Sequence, residues 1–291
     1  MIYLLGFILA LVGLSIALHI FGKISYYKIF SRFSIIFTFG MLMLIVVFVI
    51  VKGLFSFKLS MLSLHYTTKN VSMGPAIVTT VITVLMAILI ASPIGIFTAI
   101  YLVEYTDVES KLVQTIRLAT ETLSGIPSII YGLFGMLFFG MVLKFGYSIY
   151  SGAFTVAIMI LPIIIRATEE ALKSIHPSIR QGSYALGAGK LRTIFVVVLP
   201  IAIPGILSGI ILSVGRVIGE TAALMFTLGT STAMPRSLRS SSRTLALHMY
   251  MLSSEGLYVG EAYATGMVLL ILVLIINSIS SKLAGKLMGV K

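Results

Sequence analysis

The chain of 291 residues contains no cysteine, so disulfides, thiolate metal sites and cysteine nucleophiles are excluded. Charge is scarce as well. Only 10% of residues are Asp, Glu, Lys or Arg, where an ordinary soluble domain carries about 25%. The hydrophobic fraction is 58% and the mean hydropathy is +1.11. A water-soluble globule of this composition could not cover its surface with polar side chains, and the same figures exclude disorder. Acidic residues are the rarest charges: nine Asp+Glu stand against 21 Lys+Arg, a net charge of +12. In a soluble protein that excess would suggest a nucleic-acid partner. In a membrane chain it belongs mainly to cytoplasmic loops and sets orientation.

Sites for chemistry are missing too. The nearest approach to an ATP-binding P-loop is Gly189-Lys190, but Leu191 stands where Ser or Thr is required and Tyr184 where the first Gly belongs. His19, His65, His176 and His248 are scattered and form no metal-ligand spacing. No nucleophile, base and orienting acid come together. The chain therefore reads as a non-enzyme with no cofactor. Asn70-Val71-Ser72 matches a glycosylation sequon, a match common by chance.

What is present is a series of long apolar runs. A bilayer core about 30 Å thick needs roughly 20 apolar residues per helix. Seven such stretches are predicted, at 2–21, 33–51, 76–103, 121–143, 152–171, 200–229 and 262–281. The fold class expected is an all-α polytopic membrane protein. The first stretch has no preceding Lys or Arg and no small-residue cleavage site after it, so it reads as an uncleaved helix rather than a signal peptide. The fourth carries Gly125, Pro127, Gly132 and Gly135 and is predicted to be bent or broken. With the N-terminus outside and the C-terminus cytoplasmic, thirteen basic residues fall inside and seven outside; Arg216, inside the sixth stretch, completes the 21.

The longest polar stretch on the inside, 172–199, contains Pro177, which can open a short helix. Ile179, Tyr184, Ala185 and Leu186 would give it an apolar side, and Gly187 and Gly189 would end it. Such a helix is either a knob for another protein's groove or an interfacial helix on membrane lipid. Importer-type ABC permeases carry here a loop of the form E-A-A-x3-G-x9-I-x-L-P. This chain resembles it, with Gln181-Gly182-Ser183 in the first three positions, Gly187 as the glycine, Val197 at the Ile position and Leu199-Pro200 at the end. The resemblance implies a coupling helix that seats in an ATPase subunit, using Gln181, Gly182, Ser183, Ala185, Leu186 and Gly187.

Further motifs narrow the resemblance. Glu121-Thr122-Leu123-Ser124-Gly125-Ile126-Pro127-Ser128, Leu161-Pro162-Ile163-Ile164-Ile165-Arg166-Ala167-Thr168-Glu169-Glu170-Ala171-Leu172 and Gly215-Arg216-Val217-Ile218-Gly219-Glu220-Thr221-Ala222 are similar to segments of phosphate permeases, the PstA branch of that family. The likeness runs over about 30–285 and implies a type I ABC importer permease core with about six transmembrane helices over 23–291, with 1–22 as an extra N-terminal transmembrane helix. It also implies a cell-membrane location, inorganic phosphate as cargo, a second permease (PstC-like), cytoplasmic ATPases (PstB-like) and an external binding protein (PstS-like), and no nucleic acid.

Arg216 carries a physical argument of its own. An Arg at mid-bilayer costs about 2.5–3.5 kcal/mol on insertion scales, so it is expected to face a partner or a water-filled path. Glu220 is its i+4 neighbour. The pair is either a structural neutralisation or an anion site in which Arg supplies a fork of N–H donors. Arg166 is a second candidate station or a snorkelling residue. Thr122, Ser124 and Ser128 read as glue between helices, Glu169 and Glu170 as supports of the coupling loop, and the basic, Ser-rich run 230–260 as a solvated outer loop. The rival readings are a self-sufficient carrier, which would need more intramembrane titratable groups, and an assembly protein whose basic face holds anionic lipid.

Overall fold

The computed structural model describes residues 26–106 and 110–287, and among these every regular element is helical. The first predicted stretch, with the proposed domain 1–22, lies outside the described residues. The helices are α1 (Tyr26–Ser56), α2 (Gly74–Tyr105), α3 (Lys111–Gly125), α4 (Ser128–Val142), α5 (Ile149–Lys173), α6 (Pro177–Ala185), α7 (Lys190–Ile218), α8 (Ala222–Thr227), α9 (Leu245–Glu255) and α10 (Val259–Leu287). Among the described residues, five helices are long and apolar enough to cross a membrane, and up to six if the bent pair α3–α4 is one span.

The core is a bundle of α2, α5 and α7. Val84, Ala87 and Ala91 of α2 meet Val156, Ile160 and Ile164 of α5, and Val217 and Ile218 of α7 close the cluster with Leu224 of α8. Apolar side chains gain little from meeting one another in lipid, so close backbone approach must hold such helices together. That is what the α5–α7 seam provides. A methyl group added at Gly205 would lie 2.5 Å from Ala171 Cβ, and one at Gly209 would collide with Ala167. The two glycines and two alanines are each four residues apart and form one seam. Helix α1 packs on α10 at the periphery, and its apolar faces are otherwise uncovered, as a lipid-facing helix requires.

The predicted break in the fourth stretch is present. Ile126 precedes Pro127 and is pushed out of the helical region to φ −72°, ψ 130°. Helices α3 and α4 meet there at 103°. Two boundaries differ from expectation. Helix starts at Lys190, so the polar segment is shorter than 172–199; Lys190–Ile218 is one element, carried through Thr193–Val198 by a widened turn. The sixth stretch does not run unbroken to 229. It ends at Gly219, and a six-residue helix follows, because Glu220 turns back to cap it: Ala223 N–H donates to Glu220 Oε1 at 3.1 Å.

Candidate functional site

Three groups of charged residues stand out in the bundle. The first is at the α7–α8 break. Arg216 lies two residues before the helix end rather than mid-span, and its side chain is 50% exposed. Glu220 is buried and lies beyond the helix terminus. Arg216 Nη2 is 3.9 Å from Glu220 Oε2, a loose pair, because the carboxylate already caps α8. The acid is thus fixed by the fold, while the guanidinium reaches out of the bundle with most of its donors free for another acceptor.

The second group lines a cleft of about 340 Å³ between α3 and α5. Arg166 pairs with Glu121 at 3.1 Å, and both side chains are largely exposed. Such a pair contributes at most about 1 kcal/mol. Glu169 is held more firmly: its Oε1 lies 2.7 Å from Arg117 Nη2 and 2.6 Å from Lys173 Nζ. Glu169 therefore ties α5 to α3 and does not support the coupling loop directly. Thr122 and Ser124 donate to backbone carbonyls of their own helix, those of Leu118 and Glu121, and no bond from them to another helix is seen among the described residues. Arg117 was missed by sequence reasoning, because its partner lies in a helix 52 residues further on and no local pattern links them.

The third group is α6. Pro177 occupies the first turn, and His176 caps the helix by accepting from Ser178 N–H at 3.3 Å. Gly187 adopts φ +81°, a left-handed conformation that ends the helix and that a side chain would strain. Gln181, Gly182, Ala185, Leu186 and Gly187 are exposed, Leu186 at 91%; Ser183 is partly covered and its hydroxyl meets Thr193 Oγ1 at 2.9 Å. An exposed leucine capping the end of a nine-residue helix, with small neighbours, is a shape for insertion into a groove.

A clamp that the sequence reading missed holds α6 in place. Arg180 Nε and Nη2 donate to Glu104 Oε1 at 3.1 and 2.7 Å. Its Nη1 donates to Ile175 O and its Nη2 to Leu172 O, both at 2.9 Å. One guanidinium thus joins the end of α2, the last turn of α5, the turn after it and the short helix. Lys190 adds to it, with Nζ 4.8 Å above the Tyr105 ring. Among the described residues no group of three or more His, Asp or Glu could hold a metal.

Residues 91–287 match the family of binding-protein-dependent transport system inner membrane components. The chain belongs to this family. Among its relatives, the probable ABC transporter permease protein YqgI of Bacillus subtilis is 36% identical over 208 residues, covering 66% of this chain and 70% of that protein. The phosphate transport system permease protein PstA 1 of Mycobacterium tuberculosis is 41% identical over 146 residues, and the chain spans 47% of that protein's length. A permease chain in the crystal structure of a bacterial alginate ABC transporter has the same fold, with a TM-score of 0.64 over 90% of this chain and 98% of that one at 14% identity. For an inner membrane transport component of this family, the exposed α6 and the half-exposed Arg216 fall at opposite ends of α7, since α6 leads into its first residue and Arg216 sits in its last turn.

Asn70 does not serve as a free acceptor for modification in this fold. Its Oδ1 accepts from Thr67 N–H and Ser72 N–H at 2.8 and 3.1 Å, and its Nδ2 donates to His65 O at 2.9 Å, so the side chain builds the turn before α2. The run 230–260 also departs from the expected solvated loop. It contains α9, and Arg243 and His248 within it are buried.

Proposed function

We propose that this chain is the permease subunit of an ATP-driven phosphate importer. It forms the anion path with a second, PstC-like permease and takes its conformational drive from a PstB-like cytoplasmic ATPase seated on α6. A PstS-like binding protein delivers phosphate from the opposite side. In this arrangement the N-terminus lies outside the cell membrane and the C-terminus in the cytoplasm. Hydrolysis of ATP belongs to the partner.

The observation that carries the reading is Arg216. An arginine in a membrane bundle that has a carboxylate at 3.9 Å but stays half exposed is neither neutralised nor hidden, and in lipid it would be costly. Facing a second permease across a path, it offers the planar donor fork that fits phosphate oxygens. Glu220, locked as the cap of α8, steadies the arginine without competing fully for it. Arg166 is a second station, since its pair with Glu121 is weak enough to exchange for an anion. The resemblance to PstA-type permeases supplies the choice of phosphate among tetrahedral anions. Gln181, Gly182, Ser183, Ala185, Leu186 and Gly187 form the ATPase contact, and movement of α6 rocks the bundle between access states.

The test is ATP-dependent uptake of radiolabelled phosphate by the reconstituted complex, with sulfate as competitor. Arg216→Gln is expected to abolish uptake while the complex still assembles. Normal uptake by that variant would sink the assignment.

A further inference from the structure

The cleft between α3 and α5 holds more charge than the Arg166–Glu121 pair accounts for. Arg117, Glu169, Glu170 and Lys173 line the same space of about 340 Å³. Glu169, Glu170 and Lys173 follow Arg166 by three, four and seven residues, so the four share one face of α5. That face runs toward α6. Lys173 is the last residue of α5, and the carbonyl of Leu172 beside it accepts from Arg180. On the α2 side the cleft is walled by Leu102, two residues before Glu104 of the same clamp. The cleft therefore sits at the α6 end of the bundle.

A carboxylate occupies its inner wall. Glu169 is buried, and its Oε1 faces two cations at once: Lys173 Nζ donates to it at 2.6 Å, and Arg117 Nη2 stands 2.7 Å away. The two nitrogens come from different helices and are no further apart than those distances laid end to end. Two cationic groups converging on one oxygen are a grip suited equally to an oxygen of phosphate or sulfate. The Arg117 contact is not aligned as a hydrogen bond, so charge holds that guanidinium, and its donors are not committed to Glu169. Lys173 and Arg166 are exposed and reachable from solvent.

The charges lining the cleft balance, three cations against three carboxylates. A multivalent anion entering it must take Arg117 and Lys173 from Glu169 and Arg166 from Glu121. It also meets Glu170, for which no ion pair is seen among the described residues. Each displaced carboxylate stays tethered beside the anion, so repulsion offsets most of the attraction. A weak grip is what an exit needs, because differences in affinity lie mostly in how fast a ligand leaves.

We propose that Glu169 is a tethered competitor for the transported anion. Its carboxylate holds the oxyanion position between Arg117 and Lys173, and by returning there it expels phosphate from the cleft into the cytoplasm. The proposal rests on the phosphate reading, adds Arg117 and Lys173 to the path, and makes the cleft its release station. A purely structural Glu169 has a different consequence: its loss would loosen α3 from α5 with no dependence on phosphate. Removing a competitor instead tightens the hold on the anion.

The experiment uses proteoliposomes carrying the whole complex, with ATP and increasing unlabelled phosphate enclosed on the ATPase side. The initial rate of radiolabelled phosphate uptake is read. Glu169→Gln keeps the shape and removes the charge. Half-inhibition should then need at least about ten-fold less enclosed phosphate than in the unaltered complex. Adding Lys173→Gln or Arg117→Gln should reverse most of that shift. Enclosed sulfate should inhibit the Glu169→Gln complex as phosphate does, since the two cations read charge and shape; chloride at equal ionic strength should not. The site is overturned if Glu169→Gln leaves the half-inhibiting concentration unchanged or raises it, if the second substitution does not reverse the shift, or if chloride inhibits equally. Should Glu169→Gln fail to assemble, Glu169→Asp, which withdraws the carboxylate by one methylene, is expected to lower that concentration about three-fold, and no change overturns the site. Absence of ATP-dependent uptake by the unaltered complex would count against the transport reading. Equilibrium binding of radiolabelled phosphate then decides the site: it should be at least about ten-fold tighter in the Glu169→Gln complex, and equal binding overturns it.

Discussion

Arg180 and Glu104 form the contact that ties α6 to α2, and its removal has a calculable cost. The Arg180 side chain is 17% exposed and that of Glu104 only 5%. Breaking a buried pair by deleting one partner costs about 3–5 kcal/mol, because the survivor keeps its desolvation without its counter-charge. Arg180→Ala loses more than the pair. It also frees the carbonyls of Leu172 and Ile175, the first of which belongs to the last turn of α5. Glu104→Gln keeps the shape and two polar atoms, so its cost should lie well below that of Arg180→Ala. The two changes combined as alanines should be non-additive by about 2 kcal/mol or more in thermal or denaturant unfolding. Function should separate from assembly. With α6 no longer tied to α2, ATP hydrolysis by the complex should continue while phosphate moved per ATP falls at least about ten-fold, the equivalent of 1.4 kcal/mol of lost coupling. The paired assay is ATPase rate and radiolabelled uptake on the same proteoliposomes. Unchanged stoichiometry in Arg180→Ala, with an unchanged midpoint, would refute the view that this clamp transmits the drive.

Leu186→Asp should abolish co-purification of the ATPase without lowering the midpoint of the permease, since the residue is 91% exposed; retained co-purification would argue against α6 as the contact. Gly209→Val should lose membrane-stable protein, because even a methyl group there collides with Ala167, and overpacking costs about 1–3 kcal/mol; normal yield would show that the α5–α7 seam can open. His248 has a folded pKa of about 3, below its usual 6.5, so the unfolded chain binds the extra proton between those values. Its contribution is therefore complete above about pH 6.5 and is lost as pH falls toward 3, at up to about 1.4 kcal/mol per unit. His248→Gln should flatten that acid limb in unfolding curves, and an unaltered limb would remove the residue as its cause.

Helix positions were legible because composition decides them. Long apolar runs must be helical in lipid, and Pro127 forces its predecessor out of the helix. The end at Gly219 was not legible, because Ala222–Thr227 continues the apolar composition and nothing local announces that Glu220 turns back to Ala223. Arg216 was found as a charge within an apolar run, but its exposure depends on where the helix ends. Arg180 and Glu104 are 76 residues apart, and their meeting depends on the packing of α2 against the α5–α6 turn. Arg243 was read as solvated because a basic, Ser-rich segment has that composition whether it faces water or packs on the start of α2.

The seam between α5 and α7 has a mechanical meaning. Gly205 against Ala171 and Gly209 against Ala167 leave no slack, so the two helices flanking α6 swing as one beam. From Lys190 to Arg216 that beam is about 39 Å long at 1.5 Å per residue. A tilt of about 5° at the α6 end therefore sweeps Arg216 through about 3 Å, the length of a hydrogen bond. On the proposed reading, an angular movement that small at α6 is enough to make or break the grip of Arg216 on an anion at the far end.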